Sequence, residues 1–426
     1  MKNIIKSLFK ILLLTSLIII LFLVFLYYKD KEAFDFVIHY PLINSNTHSK
    51  IEDEEFPHQE ADNEEIAPPL NANSSELKTT SIAPALECKI DEHKNLIYCS
   101  TFQMTWNSLY SDLIKETIEI SSPPDYLEFI NNHIKEKPCV SEDSYISMAG
   151  FIKEKIEKKI NDKLANRFNE SLSKLNISFD NLNPDDIVAF SYLFKKLNFK
   201  SKFEKTNIYN FNNLNSNIKG VGIKFYLGSV SNKLKNQLKI LYCKSRHNSL
   251  PNGFIIKLIT DSDSDEIIIS TLKPEKDLLK SYEKIDDFIN RRYDKYLTNK
   301  DSNVIPKDYE DFWGHGSSLA IPKINFKILH SFNELVNNYF KNKNFNQYKI
   351  SQALQFIFFN LDEQGVILKS YSMLLSSGAS LEGPKNFIVD CPFIIYLKNQ
   401  SSTYPYFMAY ICNDELLVKN SNNDTD

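Results

Sequence analysis

The run from Ile11 to Tyr28, ILLLTSLIIILFLVFLYY, carries no charged residue. As an α-helix it would extend roughly 27 Å, about the thickness of a bilayer's hydrocarbon core. This predicts a membrane-spanning helix, so residues 1–29 are an anchor and the remainder must fold on one side of a membrane. Lys2, Lys6 and Lys10 precede the run, whereas Lys29 and Lys31 are offset by Asp30 and Glu32. The positive-inside bias therefore puts the N-terminus in the cytoplasm and the body outside it, in a periplasmic, extracellular or luminal space. No small-x-small cleavage site follows and no lipid-attachment cysteine adjoins, which favours an uncleaved single-pass signal anchor over a removed signal peptide.

After the anchor the composition turns polar, acidic and proline-bearing, as in IEDEEFPHQEADNEEIAPP. Such a stretch buries too little apolar surface to fold, so residues 30–85 are expected to form a flexible stalk. The folded domain is assigned to 86–418 and a short tail to 419–426. A hydrophobic fraction of 42% supports a sizeable core, and a chain with large sheets can run this long as one unit. The net charge of −4 offers no basic field for nucleic acid. Glycine is scarce, 10 residues where average usage would give about 30, which disfavours phosphate-cradling loops.

Within the domain, helical spacing follows Ser100, a residue suited to an N-cap. Phe151 to Phe168 places Ile and Leu at three- and four-residue spacing, predicting an amphipathic helix. Lys235 to Cys243, Phe254 to Ile259 and, more weakly, Glu266 to Leu272 read as strands, and Lys276 to Arg292 as a helix.

Patterns that would carry chemistry are weak. GHGSS at Gly314 to Ser318 lacks the G-x-S-x-G order and strand–turn–helix setting of a nucleophile elbow, so it reads as a loop. DSDSDE at Asp261 to Glu266 starts like a calcium loop but has no glycine at its sixth position and Leu272 where the bidentate Glu belongs. The histidines form no H-E-x-x-H pair, and the six cysteines show no C-x-x-C spacing. The expectation is a protein that is not an enzyme, with no catalytic residues, metal or cofactor.

One region is specific. From Lys349 to Asp414 the chain reads as a strand, a long exposed loop and a two-strand hairpin. Lys349, Ser351, Ala353, Asp362, Glu363 and Gly365 fall where the serpin family has the strand entering its reactive-loop hinge. Phe387, Pro392, Phe393, Phe407, Met408 and Asn413 match its F-x-x-x-x-P-F, F-M-G and late Asn. The interval from Gly365 to Pro392 is close to that family's loop length. Upstream, Asn95 and Ser100 resemble the opening of its buried helix, and Asp186 to Phe203 one of its strands, with Phe199 in place of Trp and Phe203 matching the last Phe. The chain thus resembles a divergent, N-terminally shortened serpin, which implies an α+β fold with large mixed sheets, surrounding helices and an exposed reactive loop.

The resemblance implies a mechanism. A protease cleaves the loop, and the hinge then inserts as a new strand in the main sheet, carrying the acyl-linked protease with it. The hinge would be Glu363, Gln364, Gly365, Val366, Ile367 and Leu368, with the scissile bond near Ala379-Ser380. The small residues there suit a protease with a small primary pocket, elastase-like or subtilisin-like. The region that opens for insertion would include Ser100, Ser191 and Gln355, where Ser191 stands for the family's Asn and Gln355 for its His.

The hinge departs from the family's run of small residues. Val366 to Tyr371 are bulky, and crowding a packed sheet costs ~1–3 kcal/mol per group. Two readings follow: a serine or cysteine protease inhibitor, or a non-inhibitory serpin-fold binding or bait protein. Either is expected to be a monomer joined to a membrane by its N-terminal helix, with no nucleic-acid partner. Cys391 and Cys412 flank the last hairpin symmetrically about Ser401-Ser402, so they form either a disulfide or two separately buried thiols; a one-residue register change would turn them apart. Cys88 and Cys99 are a second pair, near each other in sequence alone.

Overall fold

A seven-stranded sheet with both faces covered explains why several of its strands are apolar throughout. We describe it from a computed structural model covering residues 69–137, 139–175, 177–180, 182–214, 216–224, 234, 236–243, 253–298, 317–366 and 386–420. The anchor expected over residues 1–29, and residues 30–68 of the expected stalk, lie outside the described residues.

The sheet joins β2 (Thr80–Ala83), β3 (Asn95–Cys99), β18 (Phe407–Ile411), β17 (Phe393–Asn399), β11 (Asp265–Ser270), β10 (Phe254–Leu258) and β9 (Leu238–Cys243) in that order. Alternate residues enter two different cores. Ile97, Ile267, Ile269, Ile395 and Ile411 face the main core, while Ile268, Ile394, Tyr396 and Met408 pack under Leu278, Tyr282 and Ile285 of helix α4 (Leu278–Thr298). Burial on both faces requires continuous apolar runs rather than alternation. This is why β11 reads weakly as a strand.

A five-stranded sheet packs on the main-core face. Its order is β1 (Leu70–Asn73), β13 (Ile324–Ser331), β14 (Leu354–Asp362), β15 (Gly365–Val366) and β6 (Leu197–Asn198). Phe359 of β14 stacks on Phe407 of β18 with ring centroids 4.4 Å apart. The strands β1 and β2 fall inside the expected stalk and correct its C-terminal boundary: β1 runs parallel to β13, and β2 runs parallel to β3. These segments are too polar to suggest strands. The main-chain ladders of larger strands recruit them, and at the other end Asn420 still bonds to Asn217 inside the expected tail.

A four-stranded sheet orders β16 (Asn386–Ile388), β12 (Ser318–Pro322), β8 (Asn217–Ile223) and β7 (Glu204–Tyr209). The last sheet pairs β4 (Tyr145–Phe151) with β5 (Ile187–Leu193). Helix α3 (Ile156–Phe168) covers it with Ile156, Ile160 and Leu164. The helix thus starts later than the expected Phe151, because Tyr145 to Phe151 is taken up by β4. Two further helices are α1 (Thr101–Ser108) and α2 (Leu127–Asn132).

No disulfide joins Cys391 to Cys412 or Cys88 to Cys99. The β17–β18 register pairs Phe393 with Ile411, so Cys412 falls across from Pro392 and Cys391 from Asn413. The expected symmetry is off by one residue, and the Cys391–Cys412 bridge is not formed.

Candidate functional site

The turn joining β14 to β15 holds the residues that the sequence marks as a hinge. Along β14, Gln355, Ile357, Phe359 and Leu361 are buried, whereas Leu354, Phe356 and Phe358 are 52%, 45% and 37% exposed. The strand ends at Asp362, whose carboxylate accepts from the Gln364 amide at 2.8 Å and from Asn360 Nδ2 at 2.8 Å. This closes a tight turn that sends the chain back as β15.

Only glycine fits the first residue of β15. Gly365 has φ +145, and a Cβ there would stand 2.3 Å from the Leu197 carbonyl oxygen. Val366 is buried. The two residues lie between β14 and β6, antiparallel to both, with Gly365 opposite Asp362 and Asn198, and Val366 opposite Leu361 and Leu197. Main-chain bonds from Phe203 to the Glu363 carbonyl (2.7 Å) and from Phe199 to the Gln364 carbonyl (2.8 Å) lock the turn. Phe199 and Phe203 meet edge to face at 4.7 Å.

The buried Glu363 carboxylate pairs with Lys323 at 2.5 Å and lies 3.8 Å from Lys202. Burial alone would raise its pKa, but the bond from Lys323 outweighs this and holds the carboxyl below its usual value. Asp261 bonds to Asn198 through both oxygens, at 3.0 and 2.7 Å, and so fixes β6. Asp265 pairs with Lys195 at 2.9 Å. Two of the carboxylates in DSDSDE are thereby committed to structure. Lys202 lies beside the Phe199–Phe203 motif in sequence, a signal that could have found it; Lys323 has no local signal.

The expected opening region forms two clusters rather than one. Gln355 Nε2 donates to the Cys99 carbonyl and to Thr101 Oγ1, both at 2.9 Å, tying β14 to the start of α1. Ser191 instead meets Ser147 Oγ at 2.6 Å. Ser147 donates to the Met104 carbonyl at 2.8 Å and also contacts Ser108 Oγ. Ser100 lies beside the first cluster but makes no capping bond, because its backbone is helical (φ −66, ψ −8) and the N-cap geometry is lost. Helix α1 thus underlies both β14 and β5. Among the described residues those two strands share no ladder.

Glu363, Gln364, Gly365 and Val366 are therefore brought together. Ile367, Leu368, Ala379 and Ser380 lie outside the described residues. Residues 367–385 connect the five-stranded sheet, at Val366, to the four-stranded sheet, at Asn386.

No family model matches the chain, and no curated protein matches it. Among solved structures it is similar to Serpin48, described as a highly specific serpin in the insect Tenebrio molitor, at 13% identity. That match covers 73% of this chain and 95% of the other, with a TM-score of 0.37. It is also similar to human glycosylated kallistatin at 10% identity, over 75% of this chain and 92% of the other, with a TM-score of 0.39. Superposition over the whole chain is loose in both cases, and the functional reading rests on the hinge residues themselves.

Proposed function

We propose that the chain is a serpin-type trap for a serine or cysteine protease, held outside the cytoplasm by the Ile11–Tyr28 anchor. The observation that carries this reading is the placement of Gly365 and Val366 as a short strand between β14 and β6, antiparallel to both. Cleavage near Ala379-Ser380 by a protease with a small primary pocket would leave an acyl bond between the protease nucleophile and the new C-terminal end. The freed segment would then extend β15 along the part of β14 that has no second partner among the described residues.

The existing register supports this over the non-inhibitory alternative. Continued beyond Val366, it would set Leu368, Ser370 and Ser372 opposite the buried Phe359, Ile357 and Gln355. Lys369 and Tyr371 would fall on the outer face with the exposed Phe358 and Phe356, and Ile367 opposite the buried Asn360. Lys369 and Tyr371, two of the bulky hinge residues, are thereby directed away from the core, where overpacking carries no penalty. Leu368 is the one large inward residue, and it is what still favours the bait reading. Incubation with elastase-like and subtilisin-like proteases followed by denaturing electrophoresis tests the proposal. A covalent adduct that survives denaturation is expected; clean cleavage with no adduct would transfer the assignment to the bait protein.

A further inference from the structure

The strands β1 and β2 are held unequally. In β1, Leu70 and Ala72 are half-buried and Asn71 and Asn73 exposed, so the strand depends on its parallel ladder to β13. In β2, Thr80, Ile82 and Ala83 are buried, and the Glu415 carboxylate clasps the chain where the strand begins. It accepts from the Lys78 amide at 2.7 Å, from the Thr79 amide and hydroxyl at 3.1 and 3.0 Å, and from the Thr80 hydroxyl at 2.6 Å. Between the two strands lies a single turn, Ser74–Glu76, in which Glu76 Oε2 accepts from the Asn73 amide at 2.9 Å. Ser74 Oγ fastens this turn to the sheet, 2.7 Å from His330 Nδ1 on β13.

The groups around His330 do little to offset a charge on its ring. Gln355, opposite it in the β13–β14 ladder, is neutral, and Phe332 meets the ring edge-on with centroids 4.4 Å apart. Glu76 is committed to Asn73, and the Glu334 carboxylate takes the Tyr126 hydroxyl at 2.8 Å. Burial outweighs the attraction of Glu334 and holds the imidazole below its usual pKa, so it is neutral at pH 7. Lifting the Ser74 turn would admit water to the ring and return it to the ordinary range. Protons therefore favour the lifted state: the contribution of the turn is complete above about pH 6.5 and is lost as pH falls below that value. Glu415 has the same sign in a lower window. Burial would raise its pKa, but the bonds from Thr80, Lys78 and Thr79 hold it below its usual 4.5, so β2 stays clasped while His330 titrates.

We propose that β1 and the Ser74–Glu76 turn form an acid-released strap on the edge of the five-stranded sheet, opened when His330 takes a proton and pivoting at the Glu415 clasp. Residues 1–69 reach the domain through this strap. Its release leaves the β2–β3 pairing in place and bares the main chain of Phe326 to Leu329, the part of β13 that β1 covers.

Hydrogen exchange of the intact full-length chain tests this, read by mass spectrometry from about pH 7.5 to about pH 5.5 and corrected for the intrinsic pH dependence of amide exchange. Protection over residues 70–77 should fall by up to about tenfold, the factor by which a freed imidazole of pKa about 6.5 favours its protonated form at pH 5.5. Protection over residues 80–83 should stay constant. His330→Gln, which keeps a hydrogen-bonding group beside Ser74 but cannot titrate, should make residues 70–77 insensitive to pH over this range. Ser74→Ala, which removes the fastening and leaves His330 in place, should speed exchange over 70–77 already at pH 7.5 and leave 80–83 unchanged. An acid response that persists in His330→Gln would overturn the proposal. So would loss of protection over both segments together, or unchanged exchange in Ser74→Ala. None of these outcomes bears on adduct formation with a protease, which is read separately.

Discussion

Val366 lies opposite Leu361 in the β14–β15 ladder, and both side chains are buried. This one pair fixes the parity of everything beyond it, because a strand's side chains alternate between faces. Ser370→Arg would place a charge on the inward set, whereas Lys369→Arg changes only the outward set. The first substitution should lower the ratio of adduct to cleaved product by roughly a hundredfold, since a barrier raised by ~3 kcal/mol slows insertion that much. The second should leave the ratio within about twofold, the scale of ordinary surface changes. Quantitative electrophoresis at fixed protease concentration makes the comparison, and equal effects of the two substitutions would show that the segment does not continue in this register.

Gly365 gives a test that does not depend on any protease. An alanine there would combine a disfavoured φ with a collision against the Leu197 carbonyl. Gly365→Ala should cost about 1–3 kcal/mol and release β15 from β6. Hydrogen exchange at the Val366 amide should accelerate in step. Unchanged exchange in a stably folded variant would mean that the hinge is not held as described.

Much of this site was legible from sequence, and what was missed has physical causes. The Asp362–Gly365 turn shows itself because its geometry demands particular residues close together in the chain. Lys323 does not, because its pairing with Glu363 is made by β13 and nothing near Lys323 signals it. Likewise β17 and β18 are recognisable from their apolar runs, while β1, LNAN, is a strand only because β13 offers it a ladder. Ser100 has the right chemistry for an N-cap but the wrong backbone, since the helical turn begins one residue earlier than a cap requires.

The Glu363–Lys323 pair predicts how the hinge responds to acid. Lys323 holds the folded-state pKa of Glu363 below its usual 4.5. Its stabilising contribution is therefore complete above the unfolded pKa and is lost as pH falls through the lower folded value. Exchange at the β14–β15 turn should rise below about pH 4.5, and Glu363→Gln should show the faster exchange already at neutral pH. A wild-type profile that stays flat down to the onset of global acid unfolding would deny the pair this role.

His133 predicts the opposite trend in alkali. The hydrogen bond from its ring to Glu87, supported by Glu136, outweighs burial and pushes its pKa up to about 9. A raised pKa contributes stability that is fully present below the unfolded value of 6.5 and disappears as pH climbs through about 9. Tm should fall between pH 6.5 and 9.5 in the wild type, with a smaller fall over the same window in Glu87→Gln. The same slope in both proteins would place the titrating group elsewhere.

Cys391 and Cys412 give a final test of the hairpin. Extension of the Phe393–Ile411 register puts the two cysteines opposite different residues, Asn413 and Pro392, so their side chains are turned apart. The Cys412 amide is separately anchored to Asn95 Oδ1 at 2.8 Å, which resists the one-residue slip that would align the thiols. Burial pushes both thiols up to about 11, so at neutral pH only roughly one in ten thousand is a thiolate ready to react. Both should be alkylated slowly in the native protein and rapidly once it is denatured. Non-reducing peptide mapping of protein purified without reductant should find each cysteine free; a linked peptide containing both would require the β17–β18 pairing to be shifted by one residue.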